Sequence, residues 1–168
     1  MIRIDDIVKM GFSVTWKAID IGFKGSKVFC NELSTRDVID YALTQLEKQD
    51  GDETLAELAF EYDNDVESVN HLVKELANKE STDYGVEFRK WCILYVEKNL
   101  PNENDDYIAG LLKLGDIWAA LDFPEESPHI YQGRGNDITP KQYYTEENYR
   151  ELLCKHKEWI DKEAKQLM

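Results

Sequence analysis

The chain has 168 residues, 42% of them hydrophobic and 11% aromatic, with four Trp, nine Tyr and a formal net charge of −14. That aromatic content is too high for an acidic disordered chain, so the charge coats a folded body, one domain over 1–168 or two small ones sharing a core. A surface of this sign repels phosphate, and no apolar run approaches the roughly 18 residues that span a bilayer.

Met1-Ile2-Arg3-Ile4-Asp5-Asp6 has no basic stretch followed by an apolar one, so no signal peptide is expected. The cysteines Cys30, Cys92 and Cys154 are odd in number and far apart. Cys92 and Cys154 sit in apolar helical contexts and read as buried reduced thiols. A cytoplasmic protein is the expectation.

In chain order, Lys27-Val28-Phe29-Cys30 allows a short N-terminal strand, weakly signalled. Ser34 followed by Asp37 resembles a capping box, and behind it Val38, Ile39, Ala42, Leu43 and Leu46 form one helical face. Next comes the densest charge in the molecule. Glu47, Asp50, Asp52, Glu53, Glu57, Glu61, Asp63, Asp65 and Glu67 are opposed only by Lys48. Within that window Leu55, Ala56, Leu58 and Ala59 precede a polar turn at Asp63-Asn64-Asp65, and Val66, Val69, Leu72, Val73 and Leu76 follow. This spacing describes two short packed helices, as in a helix-turn-helix. Asn70 and Lys74 could face DNA, but the acids around them give phosphate the wrong sign, so the pair reads as packing geometry.

Tyr84, Phe88, Trp91, Cys92 and Tyr95 then form an aromatic stripe that stops before Pro101. Tyr107, Leu111, Leu114, Trp118 and Leu121 make a further helical face, ended by Pro124. From Asp122 to Pro140 the chain is irregular, with Pro124, Pro128, Gly133, Gly135 and Pro140, and it reads as a loop pinned by Phe123, Ile130 and Tyr131. The last helix opens at Thr145, with Tyr149, Leu152, Leu153, His156, Ile160 and Leu167 inward.

Motifs for chemistry fail on spacing. Asp63-x-Asp65-x-Glu67 begins like a calcium loop, but Ser68 replaces the required glycine and Lys74 the final carboxylate. His71, His129 and His156 show no zinc spacing; His156 reads as a core residue and His71 as a helix-face residue. No serine has a nucleophile-elbow setting, and Gly133-Arg134-Gly135 is not a phosphate loop. Among 34 acids a hydrolytic pair could converge, yet spacing singles out none.

Several stretches resemble an uncharacterised bacterial domain-of-unknown-function family of small acidic proteins. They are Val14-Thr15-Trp16-Lys17-Ala18-Ile19 with Gly22, Ser34 to Ala42, Lys90-Trp91, Asp116 to Glu126, and Asn148-Tyr149 with Leu152-Leu153 and Trp159-Ile160. Some members look like immunity proteins of polymorphic toxin systems, which bind and block a toxin domain. Around His129-Ile130-Tyr131 the chain departs from the more basic, aromatic ending associated with the motif. Asp122-Phe123-Pro124-Glu125-Glu126 also has a structural reading, with Pro124 stopping a helix and Phe123 folding back onto it.

The expectations are therefore an all-α fold of six to eight helices, with Trp91, Trp118, Leu111, Leu114, Val38, Leu72, Tyr95 and Leu153 in the core. The expected function, which the resemblance implies, is stoichiometric inhibition of a basic toxin domain, such as a nuclease, with no catalysis, cofactor, metal, nucleic acid or membrane. Partner-binding candidates are Asp52, Glu53, Glu57, Glu61, Asp63 and Asp65, then Asp122, Glu125 and Glu126, with Phe60 and Tyr62 as apolar anchors or core residues. A general cytosolic interaction module is the alternative, and a carboxylate-dependent hydrolase the third reading.

Overall fold

The computed structural model describes residues 1–26, 28, 30–48 and 52–168, and every regular element among them is a helix. These are α1 (Ile4–Lys9), α2 (Trp16–Lys24), α3 (Thr35–Leu46), α4 (Glu53–Ala59), α5 (Val66–Lys79), α6 (Tyr84–Asn99), α7 (Tyr107–Ala120), α8 (Pro140–Tyr143) and α9 (Glu146–Leu167). The fold is all-α, as expected. The nine described helices exceed the expected six to eight because α1 and α8 are too short to display an apolar period. No strand forms among the described residues. Val28 lies in a bend and Cys30 in no element, while Lys27 and Phe29 of the expected strand fall outside the described residues.

The chain divides into two compact units, Met1–Leu94 with Leu167–Met168, and Tyr95–Gln166. In the first, α5 packs against α2, α3 and α4. α1 closes with a Schellman turn: Phe12 N–H donates to the Ile7 carbonyl at 3.1 Å and Gly11 N–H to the Val8 carbonyl at 2.9 Å. Gly11 supplies the left-handed φ of 86° that this turn needs. α2 begins under two caps. Thr15 Oγ1 accepts from Ala18 N–H at 3.0 Å. The Glu80 carboxylate, just past the end of α5, accepts from Trp16 and Lys17 N–H at 2.7 and 3.0 Å. A carboxylate there satisfies orphan donors and complements the positive end of the helix. The Ser34–Asp37 capping box forms as read, with Ser34 N–H on Asp37 Oδ2 at 2.8 Å.

Trp91, fully buried, reaches α2 across a gap left by Gly22, where an added Cβ would lie 2.2 Å from the indole ring. Its indole N–H donates to the Ala18 carbonyl at 2.8 Å. The aromatic stripe on α6 needs correction. Tyr84 is exposed, and Phe88, Cys92 and Tyr95 are half-buried, so Tyr95 is not a core residue. Buried instead are Glu87, Lys90, Trp91, Ile93, Leu94 and Val96. Lys90 and Glu87 form an enclosed ion pair at 3.0 Å, with Lys90 also 5.9 Å from the centre of the Phe12 ring. The helix is covered over a wide arc, which a single i,i+4 stripe does not describe. Val66, counted on the inner face of α5, is exposed at its first turn.

In the second unit, Asp106 caps α7 through Ile108 and Ala109 N–H at 3.1 and 2.9 Å. Leu111, Leu114, Ile117 and Trp118 are buried along it. Gly110 admits the Tyr149 ring of α9, which a Cβ would approach to 2.4 Å. Thr145 opens α9 as expected, its Oγ1 accepting Asn148 N–H at 3.2 Å. Tyr149, Leu152, Leu153, His156 and Ile160 are buried, and Leu167 is half-buried. Cys154 is exposed, not buried, and Cys30 is exposed as well. Cys92 is half-buried, and burial pushes its thiol up to about 12.

Candidate functional site

In the first unit the acidic window resolves into two kinds of residue. Asp52, Asp65 and Glu61 are tied to local backbone. Asp52 caps α4 through Thr54 N–H at 2.8 Å and pairs with Lys79, whose hydrogen bond holds the Asp52 carboxyl below its usual range. Asp65 caps α5 through Ser68 N–H at 2.9 Å. Glu61 accepts from Tyr62 N–H at 2.9 Å and from Ser68 Oγ at 2.5 Å. Asp63 is exposed, and its carbonyl accepts from Thr35 Oγ1 at 2.6 Å.

Glu53 and Glu57 are exposed along α4. α4 stops at Ala59, so Glu61 lies on the turn after it and the three glutamates do not share one continuous helix. They nevertheless line one shallow depression together with Ala56 and Phe60. Phe60 and Tyr62 are each 75% exposed, so neither is a core residue. The Phe60 ring, in water beside the exposed carboxylates of Glu53 and Glu57, is the conspicuous feature of this face.

The second group, Asp122, Glu125 and Glu126, lies in the other unit, on the exposed segment after α7. α7 ends in the same turn type as α1, with Phe123 N–H on the Trp118 carbonyl at 2.9 Å and Asp122 N–H on that of Ala119 at 3.2 Å. Here aspartate replaces glycine at the left-handed position. Asp122 has φ 57° and Phe123 φ 52°. Two successive left-handed residues, the second bulky and followed by proline, are strained by about 1–3 kcal/mol each. Phe123 is 40% exposed and stands edge-on to Tyr131, with ring centres 5.4 Å apart.

Ile130 is exposed too, so the loop is pinned differently from the sequence reading. His129 is its deepest residue, 8% exposed, with Nε2 3.2 Å from the Tyr143 hydroxyl. Asn136 braces the rest: Oδ1 accepts from Gly133 and Ile138 N–H at 3.1 and 3.2 Å, and Nδ2 donates to the Tyr131 and Arg134 carbonyls. Behind the loop, Trp118 Nε1–H donates to His156 Nε2 at 2.6 Å, so His156 carries its proton on Nδ1 and donates to the Leu152 carbonyl at 2.5 Å. Burial lowers both imidazoles, His129 to about 4 with a further push from His156. Burial also raises the Tyr131 and Tyr143 phenols, the latter to about 12.

His129 and Arg134 are named in the sequence only in motifs that fail, a zinc spacing and a phosphate loop, and not as site residues. The left-handed Gly133 and Gly135 that shape the bend around Arg134 were the available signal. His71 is exposed on α5 and His156 fully buried, as read. Among the described residues no three His, Cys, Asp or Glu side chains are placed to hold a metal ion, and no helix is long and apolar enough to cross a membrane.

Residues 4–164 match the model of a family described as an uncharacterized protein conserved in bacteria (DUF2247), and the chain belongs to that family. No curated protein and no solved structure matches it.

Proposed function

We propose that this member of a bacterial family is a cytoplasmic immunity protein that binds a basic toxin domain and blocks it stoichiometrically, without chemistry of its own. The observation that carries the reading is the α4 face, where Phe60 stands 75% exposed in one depression with the exposed carboxylates of Glu53 and Glu57. An aromatic side chain left in water forgoes the stabilisation that burial brings, and aromatic anchors of this kind carry most of the energy in protein interfaces. The surrounding charge, within a chain of −14, steers a basic partner to that face by about 10–10³-fold at low salt.

Two experiments test the proposal. Co-expression with the toxic domain encoded beside its gene should restore growth, and failure to restore it rejects immunity. For the surface, Glu53→Lys with Glu57→Lys should slow association and flatten its salt dependence, while Phe60→Ala should speed dissociation at least ~10-fold. Glu61 is left intact because its carboxylate holds Tyr62 and Ser68 in place. Unchanged kinetics in both variants would move the interface off α4.

A further inference from the structure

The loop of the second unit encloses a recess of about 340 Å³, a size suited to a small molecule. Its walls are rings: Phe123, Tyr131 and the buried imidazole of His129, which stands 4.4 Å from Tyr131 centre to centre. Two of its polar groups are unspent. The Arg134 guanidinium lies 5.1 Å from the Phe123 ring centre and 5.7 Å from that of Tyr131, and none of its N–H groups meets an acceptor among the described residues. With its carbon over two rings and its N–H groups uncommitted, the guanidinium is open to the paired donation that suits a carboxylate. The second is His129 Nδ1, buried without a hydrogen-bond partner. With the Tyr143 O–H donating to Nε2, Nδ1 carries the proton and is a donor. A buried donor left unpaired is destabilising, and a ligand acceptor would relieve it.

We propose that this recess binds a small aromatic monocarboxylate, its ring against Phe123 and Tyr131 and its carboxylate on Arg134, with His129 as a further donor. Three aromatic walls select a planar apolar body. Glu125, which also lines the recess, disfavours dianions and so separates a carboxylate from a phosphate. The strained Asp122–Phe123 step has a role in this arrangement, since it is what turns the Phe123 ring outward to meet Tyr131 and Arg134. The site is independent of the toxin-binding reading, because its residues all belong to the second unit.

The test is titration of the full chain, followed by nuclear magnetic resonance of the Arg134 Nε–H and the His129 ring, with benzoate, inorganic phosphate and benzamidine as probes. Benzoate should shift both signals saturably, while the other two leave them in place. Arg134→Gln and Arg134→Lys should each weaken benzoate about tenfold or more, the first losing the charge and the second the planar fork. Arg134 is exposed, so both variants should melt with the wild type. Glu125→Gln should bind benzoate as well as wild type or better. Absence of saturation by benzoate, equal saturation by phosphate or benzamidine, or undiminished binding in both arginine variants would each overturn the proposal.

Discussion

Gly22 shows how a single missing methyl group sets the packing of the first unit. The indole of Trp91 occupies the place where a Cβ would stand, 2.2 Å away at Cζ2 and 2.4 Å at Cη2, and Leu33 closes in at 3.0 Å. The indole cannot retreat cheaply, because its N–H is committed to the Ala18 carbonyl. The Gly22 carbonyl is committed as well, accepting from Glu32 and Leu33 N–H at 2.8 and 3.0 Å. Alanine normally favours a helix over glycine by about 1 kcal/mol, so the propensity and the packing act in opposite directions here. Packing should win. Gly22→Ala is expected to destabilise by about 1–3 kcal/mol, read as a lower urea midpoint together with altered Trp91 fluorescence. An unchanged or raised midpoint would mean that the indole has room to move.

At the scale of the helices, the N-terminus of α2 depends on a side chain from another element. Glu80 accepts from two backbone N–H groups of α2, and Lys17 donates back to the Glu80 carbonyl at 2.9 Å. Glu80→Ala should therefore cost about 2 kcal/mol, and Glu80→Gln about half of that, because the amide oxygen can still accept one bond. Equal losses for both variants would indicate that the charge, not the hydrogen bonds, carries the effect. This contact also marks the boundary of what the sequence discloses. The Ser34–Asp37 box could be read because its partners are three residues apart, and the faces of α7 and α9 because their periods are local. Trp16 and Glu80 are 64 residues apart, and no local pattern joins them. α6 was misread because its long aromatic side chains mark the flank of the buried arc, while Glu87 and Lys90, polar by type, sit inside it. At the candidate surface the acids were legible as composition. Their division into caps and free carboxylates depended on where α4 and α5 begin, and the Arg134–Phe123–Tyr131 stack on how a loop folds.

For the molecule as a whole, pH acts through two opposing sets of groups. With a sequence pI of about 4.6, acidification relieves the repulsion among surface carboxylates, which favours the compact state. The imidazoles of the second unit act against it. His129, faced by Tyr131, Tyr143 and the ring of His156 with centres 5.5 Å apart, is held to about 4 by burial, and His156 is lowered by burial against Trp118. Unfolded, each accepts a proton near 6.5, whereas the folded chain refuses it down to a lower pH. The folded state is therefore at full strength above pH 6.5 and loses ground as pH falls below it, in the case of His129 down to about 4, by up to about 1.4 kcal/mol per pH unit. Asp52 and Glu103, held low by Lys79 and Lys157, stabilise the fold fully above their ordinary values of 3.8 and 4.5 and lose that contribution only as pH falls through them, below the interval from pH 7 to pH 5. The two windows are thus separable. Urea midpoints measured at constant ionic strength should fall between pH 7 and pH 5 in the wild type, and the fall should be shallower in His129→Phe, which keeps a ring but has no proton to accept. A flat wild-type profile over that interval would show that relief of surface repulsion outweighs the histidines, and an equal slope in the variant would assign the loss to His156.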